Sequence, residues 1–387
     1  MAFIIETRGL AYSYENGEPA LKGVTLGISG GKKTVILGPN GSGKSTLFLH
    51  MNGVLRPGKG TILFRGEPLR YDNKSLASLR QKVGLVFQNP DDQIFASTVE
   101  EDVAFGPINL GLPGANVEER VKAALDIVDM AGFRGRPTQQ LSFGQRKRVA
   151  LAGALAMDPE MLLMDEPTAG LDAQMVREIL ELTEELDYKG KTIVISTHDV
   201  DLAYEWADDV ILMSEGSVLF SGTVDGLFEA EELLHKARLT RPILYSLNLQ
   251  RHLRTGHPEC PRPRTVPECC QAFFRKEITN EAGTFYIACL NNGNLDVGAL
   301  QKFRKHNRGA YGSYAKRVSR ELGLEIHHYF NSIEHGLIKT SMGEDYLLIT
   351  EPSLAGLVKS KVEELDRRYS CKIKAMIIDD VRVSGRQ

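Results

Sequence analysis

The feature that most constrains this chain is the segment GPNGSGKST, which runs from Gly38 to Thr46. The apolar run TVIL precedes it and the run STLFLHM follows it, so the segment is expected to join a buried strand to a helix. Glycines let successive backbone N–H groups curl round an anion, and the helix N-terminus adds a favourable dipole. The pattern therefore predicts a phosphate-binding loop; a glycine-rich turn that matches by chance is the alternative.

The residues of this loop have expected roles in holding a nucleoside triphosphate. Lys44 would reach the β- and γ-phosphates, and the hydroxyl of Ser45 would bind a magnesium ion. ATP and Mg²⁺ are therefore the predicted ligands. The predicted ATP contacts within the loop are Gly38, Pro39, Asn40, Gly41, Ser42, Gly43, Lys44, Ser45 and Thr46.

Two carboxylates follow another apolar run. In MLLMDEP, which begins at Met161, Asp165 and Glu166 come at the tip of an expected buried strand. Asp165 would hold the magnesium ion, and Glu166 would be the general base that polarises the attacking water. A pair of solvated acids is the alternative, and the phosphate loop favours the catalytic interpretation.

Two further polar residues follow predicted strands. His198 comes directly after TIVIS, where an imidazole could reach the γ-phosphate or orient Glu166. Gln88 follows VGLVF and is suited to detecting the metal ion and the γ-phosphate. Each of these two residues alone is compatible with a purely structural role. Their occurrence together with the phosphate loop and the two acids favours a functional one. The predicted catalytic residues are thus Lys44, Glu166 and His198, and the predicted magnesium ligands are Ser45, Gln88 and Asp165.

Composition limits the classes of function. The net charge of −3 and the isoelectric point near 6.3 give no global attraction to nucleic acid or to an anionic membrane. Five cysteines without a recognisable signal peptide favour reduced thiols and a cytoplasmic location. No apolar run approaches the roughly 18 residues that a spanning helix requires, so the chain is not expected to cross a membrane by itself.

The pattern of apolar runs divides the chain into three parts. Residues 1–245 alternate β-rich and helical segments, which predicts an α/β domain with a mostly parallel sheet, an antiparallel β layer near the N-terminus and a helical insert at about 116–130. Residues 246–271 contain prolines and cysteines without periodicity and are interpreted as a linker. Residues 272–387 are expected to form a smaller α/β domain, with strands at TFYIACL, EIHHYF, DYLLIT and KIKAMIIDDVRV and helices within 295–322 and 353–369.

The first domain resembles a known family. The order of GPNGSGKST, Gln88, LSFGQ, LLMDE, AGLD and His198 is similar to that of ATP-binding subunits of ABC transporters, over about residues 3–245. The stretches VGLVFQNPDDQIFASTVEEDVAFGPINLGL and LSFGQRKRVALAGALAMDPEMLLMDEPTAGLD more narrowly resemble ATPases of the cobalt-import and energy-coupling-factor branch. The resemblance implies the phosphate-loop fold of an ABC-type nucleotide-binding domain.

The resemblance also implies that the site is shared between two subunits. In this family two ATP-binding domains pair head to tail, and the LSFGQ segment of one contacts the ATP held by the other. Asp172 would then lie at the subunit interface, and adenine would stack on Tyr14, with Tyr12 as the fallback. Phe143 replaces a glycine that is common in the family and is expected to pack against the helical insert. The segment residues expected to contact the partner's ATP are Ser142, Gly144 and Gln145.

The implied function is ATP hydrolysis coupled to transport. The chain would work with a second ATP-binding subunit and with membrane-spanning subunits, at the cytoplasmic face of the cell membrane, and would contact them through the stretch after Gln88. Import of cobalt, nickel or a vitamin is the first expectation, and nucleic acid is not an expected partner. The alternative is an ABC-type ATPase that acts on nucleic acid or a protein complex through the C-terminal domain.

The C-terminal third leaves its own function open. The run from Gln301 to Arg320 has seven basic residues with Tyr311 and Tyr314 among them, which fits a solvated helical face or, less readily, an anion-binding patch. A third possibility is a regulatory domain that senses a ligand. A soft metal site is conceivable, but the spacing fits no standard zinc pattern and a linker with incidental thiols is favoured. The residues concerned are His252, His257, Cys260, Cys269 and Cys270, with His327, His328 and His335 as weaker candidates.

Overall fold

A computed structural model describes residues 3–15, 17–274, 281–290, 303 and 306–378. The chain divides into two compact units, residues 1–243 and 244–387. The observed division lies two residues before the expected end of the first domain.

The first unit is built from alternating strands and helices. Short 3-10 turns lie at Pro90–Asp92, Ala131–Phe133 and Thr138–Gln140. The strands are β1 (Phe3–Ser13), β2 (Pro19–Ser29), β3 (Lys33–Leu37), β4 (Lys59–Phe64), β5 (Glu67–Pro68), β6 (Val83–Val86), β7 (Met161–Asp165), β8 (Thr192–Thr197), β9 (Asp209–Ser214) and β10 (Ser217–Thr223). The helices are α1 (Lys44–Met51), α2 (Asn73–Lys82), α3 (Val99–Asn109), α4 (Gly114–Ile127), α5 (Phe143–Leu155), α6 (Ala173–Tyr188), α7 (Val200–Trp206), α8 (Val224–Glu229) and α9 (Glu231–Lys236).

These strands form the two sheets that the sequence predicts. An antiparallel sheet has the order β2-β1-β4-β5, and a six-stranded sheet has the order β10-β9-β3-β8-β7-β6. In the second sheet β3, β6, β7, β8 and β9 pair in parallel, and only β10 is antiparallel. The register places Leu37 opposite Thr197 and Asp165 opposite Ser196. The carboxyl ends of β3, β7 and β8 therefore meet at one edge of the sheet.

The core of this unit lies between the two sheets, around α1. Its fully buried side chains come from both sheets and from the helix, which explains why the strands of the central sheet are apolar throughout. These residues include Ile5, Leu10, Leu21, Ile28, Ile36, Leu47, Phe48, Met51, Leu163, Val194 and Met213.

The expected helical insert is present as α3, α4 and α5, which pack against one another. Helix α4 ends at Ile127, earlier than the periodicity suggests, and Asp129 takes a left-handed conformation with φ 55°. Helix α3 begins with a capping box between Thr98 and Glu101. The expected hairpin from Asp208 is also observed, because Glu215 and Gly216 both have positive φ between β9 and β10.

The second unit is a four-stranded parallel sheet with helices. Its order is β12-β13-β11-β14 when the strands are numbered along the chain. The helices are α10 (Ile243–Thr255), which begins at the last residue of the first unit, α11 (Val266–Phe274), α12 (Ser313–Glu321), α13 (Ser332–Ser341) and α14 (Pro352–Tyr369). The strands are β11 (Thr284–Cys289), β12 (Asn307–Ala310), β13 (Tyr346–Thr350) and β14 (Lys374–Ile378).

Two parts of this unit differ from the expectation. The stretch EIHHYF is not a strand: His328 makes a single bridge to Gly309, while the rings of Tyr329 and Phe330 lie against Arg320 and Lys316 of α12. The strand next to β13 is instead β12, NRGA, inside the run expected to be helical. Gly309 allows this close approach, since a Cβ there would collide with the hydroxyl of Tyr346.

The segment interpreted as a linker is largely helical. It contains most of α10 and part of α11, with an irregular stretch between them. Helix α11 packs against α13 and α14, so tertiary contacts stabilise a helix whose sequence carries no clear periodicity. Residues 291–302, which include the start of the expected helix 295–322, and residues 379–387, which include the end of KIKAMIIDDVRV, lie outside the described part of the chain.

Across the ranges that the structure describes, no helix combines the length and the apolar character needed to span a membrane. The longest, α14, carries charged residues along its length.

Candidate nucleotide-binding site

The phosphate loop is shaped by glycines where side chains would not fit. Gly43 is the N-cap of α1 and has φ 101°, and a Cβ there would lie 2.7 Å from the carbonyl oxygen of Ala20. A Cβ at Gly38 would collide with the carbonyl oxygen of Met213. The loop therefore follows a path close to neighbouring backbone, with its N–H groups gathered at the start of a helix.

Lys44 crosses the inside of this loop. Its ammonium donates hydrogen bonds to the carbonyl oxygens of Gly38 (2.8 Å) and Pro39 (3.2 Å) and lies 3.3 Å from Oε1 of Glu166. Both side chains are about 5–6% exposed, so this ion pair is buried. The cation predicted to bind phosphate and the predicted general base are thus adjacent.

Glu166 is fixed at the end of β7 in an unusual conformation. Its φ is 42°, in the left-handed region that glutamate rarely adopts. Its N–H donates to both the carbonyl oxygen (3.2 Å) and the Oγ (3.0 Å) of Ser196. Nδ1 of His198 lies 3.1 Å from Oε2 of Glu166. The imidazole is therefore within hydrogen-bonding distance of the carboxylate, which is compatible with one of the two roles that the sequence suggested.

A cleft of about 660 Å³ opens in front of these residues. Glu18, Pro19, Ala20, Lys22 and Glu215, which the sequence did not single out, complete its wall. The predicted residues that line it are Tyr14, Asn40, Gly41, Ser42, Gly43, Lys44, Ser45, Thr46, Gln88 and Glu166. The predicted residues in this cleft come from four separate parts of the sequence.

Tyr14 rather than Tyr12 faces this cleft. Tyr14 is 41% exposed, and its hydroxyl lies 2.9 Å from Oγ1 of Thr46. Tyr12 instead packs edge-on between Tyr14 (5.2 Å between ring centroids) and His50 (4.7 Å). An aromatic face is therefore available beside the phosphate loop at position 14.

The predicted magnesium ligands supply oxygen donors. Ser45 and Gln88 line the cleft, and Asp165 is buried at the end of β7, where Oδ1 accepts a hydrogen bond from Oγ of Ser196 (2.5 Å). Hydroxyl, amide and carboxylate oxygens are the ligands that Mg²⁺ prefers. The donor set therefore fits this ion.

The LSFGQ segment begins α5. Ser142 is the N-cap: its Oγ accepts from the N–H of Gln145 (3.3 Å), and its own N–H donates to Oε1 of Gln145 (2.9 Å). Gly144 packs against α6, since a Cβ there would collide with Met175. Asp172 is the exposed N-cap of α6. None of these residues lines the cleft of the same chain.

Two residues that the sequence analysis missed hold the catalytic end of β7. Ser196 bonds Asp165 and Glu166, and Lys147 donates to the carbonyl oxygens of Glu166, Pro167 and Ala169. Lys147 could have been noticed, because it falls at helical spacing on the buried face of α5 with Gly144, Leu151 and Ala154. Ser196 carries a hydroxyl inside a largely apolar strand, and a buried hydroxyl at such a position indicates a specific hydrogen-bond partner.

The candidate metal ligands of the C-terminal third are dispersed. Within the described residues, no three His, Cys, Asp or Glu side chains are grouped to hold a metal ion. His252 bonds the carbonyl oxygen of His257, and burial raises the pKa of the Cys269 thiol to about 11. His328 stacks on His335 at 4.2 Å between ring centroids.

The basic run from Gln301 is not one solvated face either. Tyr311 is 1% exposed, Arg308 is buried and donates to the carbonyl oxygen of Phe303, and Lys316 is buried over the ring of Phe330. Lys302, Arg304 and Lys305 lie outside the described residues.

Comparisons with known proteins agree with this geometry. The family described as "ABC transporter" matches residues 21–169. The energy-coupling factor transporter ATP-binding protein EcfA2 of Methanospirillum hungatei is 39% identical over 98% of both chains. The corresponding protein EcfA of Methanocaldococcus jannaschii is 55% identical over 62% of this chain and 86% of its own length.

Solved structures show the same relationship. CbiO1 of Clostridium perfringens, titled as part of the ABC transporter complex cbiONQ, has a TM-score of 0.55 and 41% identity and covers 66% of this chain and 97% of its own. A dimeric ATP-binding cassette bound to ADP and phosphate has a TM-score of 0.53 and 31% identity, over 57% of this chain and 98% of its own. The chain therefore belongs to the ABC transporter family, as an ATP-hydrolysing, ATP-binding subunit of the energy-coupling-factor type.

Proposed function

We propose that this chain hydrolyses ATP at the cleft beside Lys44 and Glu166 and thereby drives import through membrane-spanning partner subunits. The observation that carries this proposal is the placement of Glu166. Its backbone is held by Ser196, and its carboxylate lies between the Lys44 ammonium and the His198 imidazole. A fixed carboxylate next to the phosphate loop is suited to accept a proton from attacking water.

The nucleotide would be held by the loop and by Tyr14. The N–H groups at the start of α1 and the Lys44 ammonium would bind the phosphates, and the exposed ring of Tyr14 would stack on adenine. Ser45, Gln88 and Asp165 would hold Mg²⁺, which when bound neutralises charge on the phosphates. His198 keeps the Glu166 carboxylate in position, since Nδ1 lies 3.1 Å from it.

A second ATP-binding subunit would complete the site. Ser142 is exposed and lies outside the cleft of its own chain, although it caps a helix whose N-terminus favours anions. The related cassette structure is a dimer, and pairing of this kind would bring Ser142, Gly144 and Gln145 of one chain to the ATP of the other. The exposed Asp172 would lie at the same interface.

Membrane-spanning subunits would dock on a second depression, of about 230 Å³, that includes part of the stretch after Gln88. Its exposed rings are Phe95 (65% exposed) and Phe105 (48%), which meet edge-on at 4.5 Å. Asp102 shapes this wall, because its Oδ1 accepts the N–H groups of Phe95 (3.0 Å) and Ala96 (3.1 Å). An exposed aromatic pair beside a depression suits the apolar face of a partner helix.

The same region is connected to the LSFGQ helix. Oε1 of Gln93 accepts the N–H of Phe87 (3.1 Å), and Nε2 of Gln93 donates to the carbonyl oxygen of Ala150 in α5 (2.9 Å). Nε of Arg146, also in α5, lies 2.8 Å from Oδ1 of Asp91. A displacement of the docked partner would therefore be transmitted to the helix that serves the second ATP.

The relatives' names suggest the type of transporter. They are energy-coupling factor ATP-binding proteins and CbiO1 of the cbiONQ complex, so cobalt, nickel or a vitamin is the proposed cargo and the cytoplasmic face of the cell membrane the proposed location. The alternative, action on nucleic acid through the basic C-terminal run, is disfavoured because Arg308, Tyr311 and Lys316 are buried.

Purification from detergent-solubilised membranes tests this function. We expect the tagged chain to bring down a multi-spanning partner together with ATPase activity, and the Phe95→Asp and Phe105→Asp variants to lose the partner. Phe220→Asp, on β10 away from this depression, is the control for placing a charge on a partly buried ring. Purification without a multi-spanning protein, together with salt-dependent binding of nucleic acid, would contradict the transporter and support the alternative.

A further inference from the structure

Lys147 is a buried cation for which the proposed reaction has no direct use. The residue is 4% exposed and lies on α5, one turn after the LSFGQ segment begins the helix. Its ammonium donates to three backbone carbonyl oxygens, those of Glu166 (3.3 Å), Pro167 (3.0 Å) and Ala169 (2.7 Å). A lysine ammonium has three N–H groups, so these contacts can use all of them.

The three carbonyls belong to one loop with two functional ends. It begins at Glu166, the proposed general base, and leads to Asp172, the exposed N-cap of α6. The backbone of Glu166 is held on both sides, by Ser196 at the N–H and by Lys147 at the carbonyl oxygen. A left-handed φ of 42° at a glutamate persists only where neighbouring groups hold it in this way.

Phe143 closes the other side of the ammonium. Its ring centroid lies 5.4 Å from Nζ of Lys147, and the ring packs against Gly170 in the same loop, where a Cβ would lie 3.0 Å from it. Phe143 was expected to pack against the helical insert, but its ring lies on this loop. Lys147 and Phe143, one turn apart, thus attach the first turn of α5 to residues 166–170.

Lys147 is a charged residue at a position where burial disfavours the charged form of its side chain. Desolvation lowers the pKa of Lys147 to about 8, while the carboxylates of Glu166 and Asp165 act in the opposite direction. A buried apolar side chain of the same length would avoid this desolvation. A specific need for the three hydrogen bonds explains a lysine at this position better than packing does.

We propose that Lys147 is a positioning residue that joins the LSFGQ turn and the loop from Glu166 to Asp172 into one rigid unit, so that engagement of Ser142 with the partner's ATP sets the position of Glu166 at the chain's own ATP. This inference rests on the proposed roles of Glu166 and Ser142. It places the connection between the two ATP sites inside a single chain, without a contact of Lys147 with either nucleotide. A shift of Glu166 by about 1 Å is enough to lower turnover by about a hundredfold.

The test is steady-state ATP hydrolysis by the intact complex with Lys147→Met, which keeps an unbranched side chain, one atom shorter, and removes the donors. We expect kcat to fall about tenfold to a hundredfold, the KM for ATP and equilibrium ATP binding to stay within about twofold, and the dependence of rate on ATP concentration to lose cooperativity. Lys147→Gln restores a donating amide and should recover part of kcat. Phe143→Leu, which keeps the ammonium, should have an intermediate effect.

The outcomes separate positioning from stability. A kcat within about twofold of wild type in Lys147→Met, or a fall that Lys147→Gln does not relieve, overturns the inference. If Lys147→Met does not fold, Lys147→Gln and Phe143→Leu are compared with wild type instead. Unchanged kcat and unchanged cooperativity in both variants would then overturn the inference. The proposed role of Glu166 is checked separately by Glu166→Gln: full turnover there would contradict the general base itself, whereas a strong loss in Glu166→Gln with unchanged kcat in Lys147→Met would overturn the inference alone.

Discussion

The two units of this chain share an architecture and differ at one edge of it. Both contain parallel strands with helices. In the first, the carboxyl ends of β3, β7 and β8 lead into Lys44, Glu166 and His198, and the Glu166 carboxylate lies 3.3 Å from the Lys44 ammonium and 3.1 Å from the His198 imidazole. In the second, the carboxyl ends of β12 and β13 lead into Tyr311 and Thr350, where the buried Thr350 hydroxyl donates to the carbonyl oxygen of Tyr311. The architecture alone therefore does not create a site.

The polar groups at the two edges differ in their surroundings. In the second unit the buried hydroxyl of Thr350 at this edge is satisfied by the backbone of Tyr311, as is usual for a buried polar group in a core. In the first unit the Lys44 ammonium and the Glu166 carboxylate line a cleft, with the His198 imidazole beside the carboxylate and a strained backbone at Glu166. Converging charges and backbone strain are typical of a functional site, and they distinguish the edge at which we propose that ATP is hydrolysed.

The largest effect is expected at the base of the first unit. Glu166→Gln should lower turnover by about a hundredfold to ten-thousandfold and leave ATP binding intact, because the amide cannot accept the proton from water. Glu160→Gln is the matched control, since Glu160 comes just before the other end of β7 and pairs with Arg65 on the surface. Phosphate release measures both. Equal turnover in the two variants would contradict the assignment.

A smaller effect is expected from adding a side chain at Gly43, where the phosphate loop has a positive φ and lies close to neighbouring backbone. Gly43→Ala should lower the free energy of unfolding by about 1–3 kcal/mol, because φ is 101° and the new Cβ would meet the carbonyl oxygen of Ala20. Gly66→Ala, with φ 82° and open space around it, isolates the backbone strain from the crowding. Denaturant titration should show the larger loss for Gly43→Ala; the reverse order would show that crowding does not shape the loop.

The second unit should respond to acid before the first, because burial lowers the pKa of two of its histidines, His328 and His335, and of one in the first unit, His50. Burial, with His335, His327 and Lys339 nearby, lowers the pKa of His328 to about 4. The folded unit then holds a neutral imidazole that the unfolded chain protonates below its ordinary pKa of 6.5. The contribution of the neutral His328 imidazole to the stability of the second unit is therefore complete above pH 6.5, and it is lost as the pH falls from 6.5 toward 4.

Trp206 allows the two units to be followed separately in this titration. It is the chain's single tryptophan and is buried in the first unit, so its fluorescence reports that unit while circular dichroism reports both. We expect ellipticity to fall before the fluorescence changes. His328→Phe should move the first step to lower pH, and His235→Gln, at an exposed histidine, should not. Coincident transitions would contradict a separate response.

The smallest effect is expected from removing the second unit. A chain ending at Ile243 retains every residue of the cleft, so its affinity for ATP should change by less than about twofold. Equilibrium titration with a fluorescent ATP analogue measures this. A loss of affinity beyond tenfold would show that the second unit takes part in nucleotide binding.

The sequence was informative where chemistry requires particular residues. Phosphate binding demands glycines, a lysine and a helix start at fixed spacing, so the loop and the acids of β7 could be predicted together with their strands. For Ser196 and Lys147 the sequence shows only a polar residue in a buried position, because the carboxylate and backbone atoms that they contact approach only in the folded chain. In the second unit β12 was not predicted, because the reason for a glycine at position 309 is the close approach of the Tyr346 hydroxyl, which exists only in the folded chain.

The central claim, that a second subunit completes the ATP site, is tested most directly at Ser142. In the intact complex, Ser142→Arg should lower ATP turnover by at least about half, while the chain's own affinity for ATP stays within about twofold, because Ser142 lies outside its cleft. Thr223→Arg removes a comparable cap, with the same 3.3 Å bond, from α8 and should leave turnover near wild type. Unchanged turnover in Ser142→Arg, or equal losses in the two variants, would contradict a site shared between subunits.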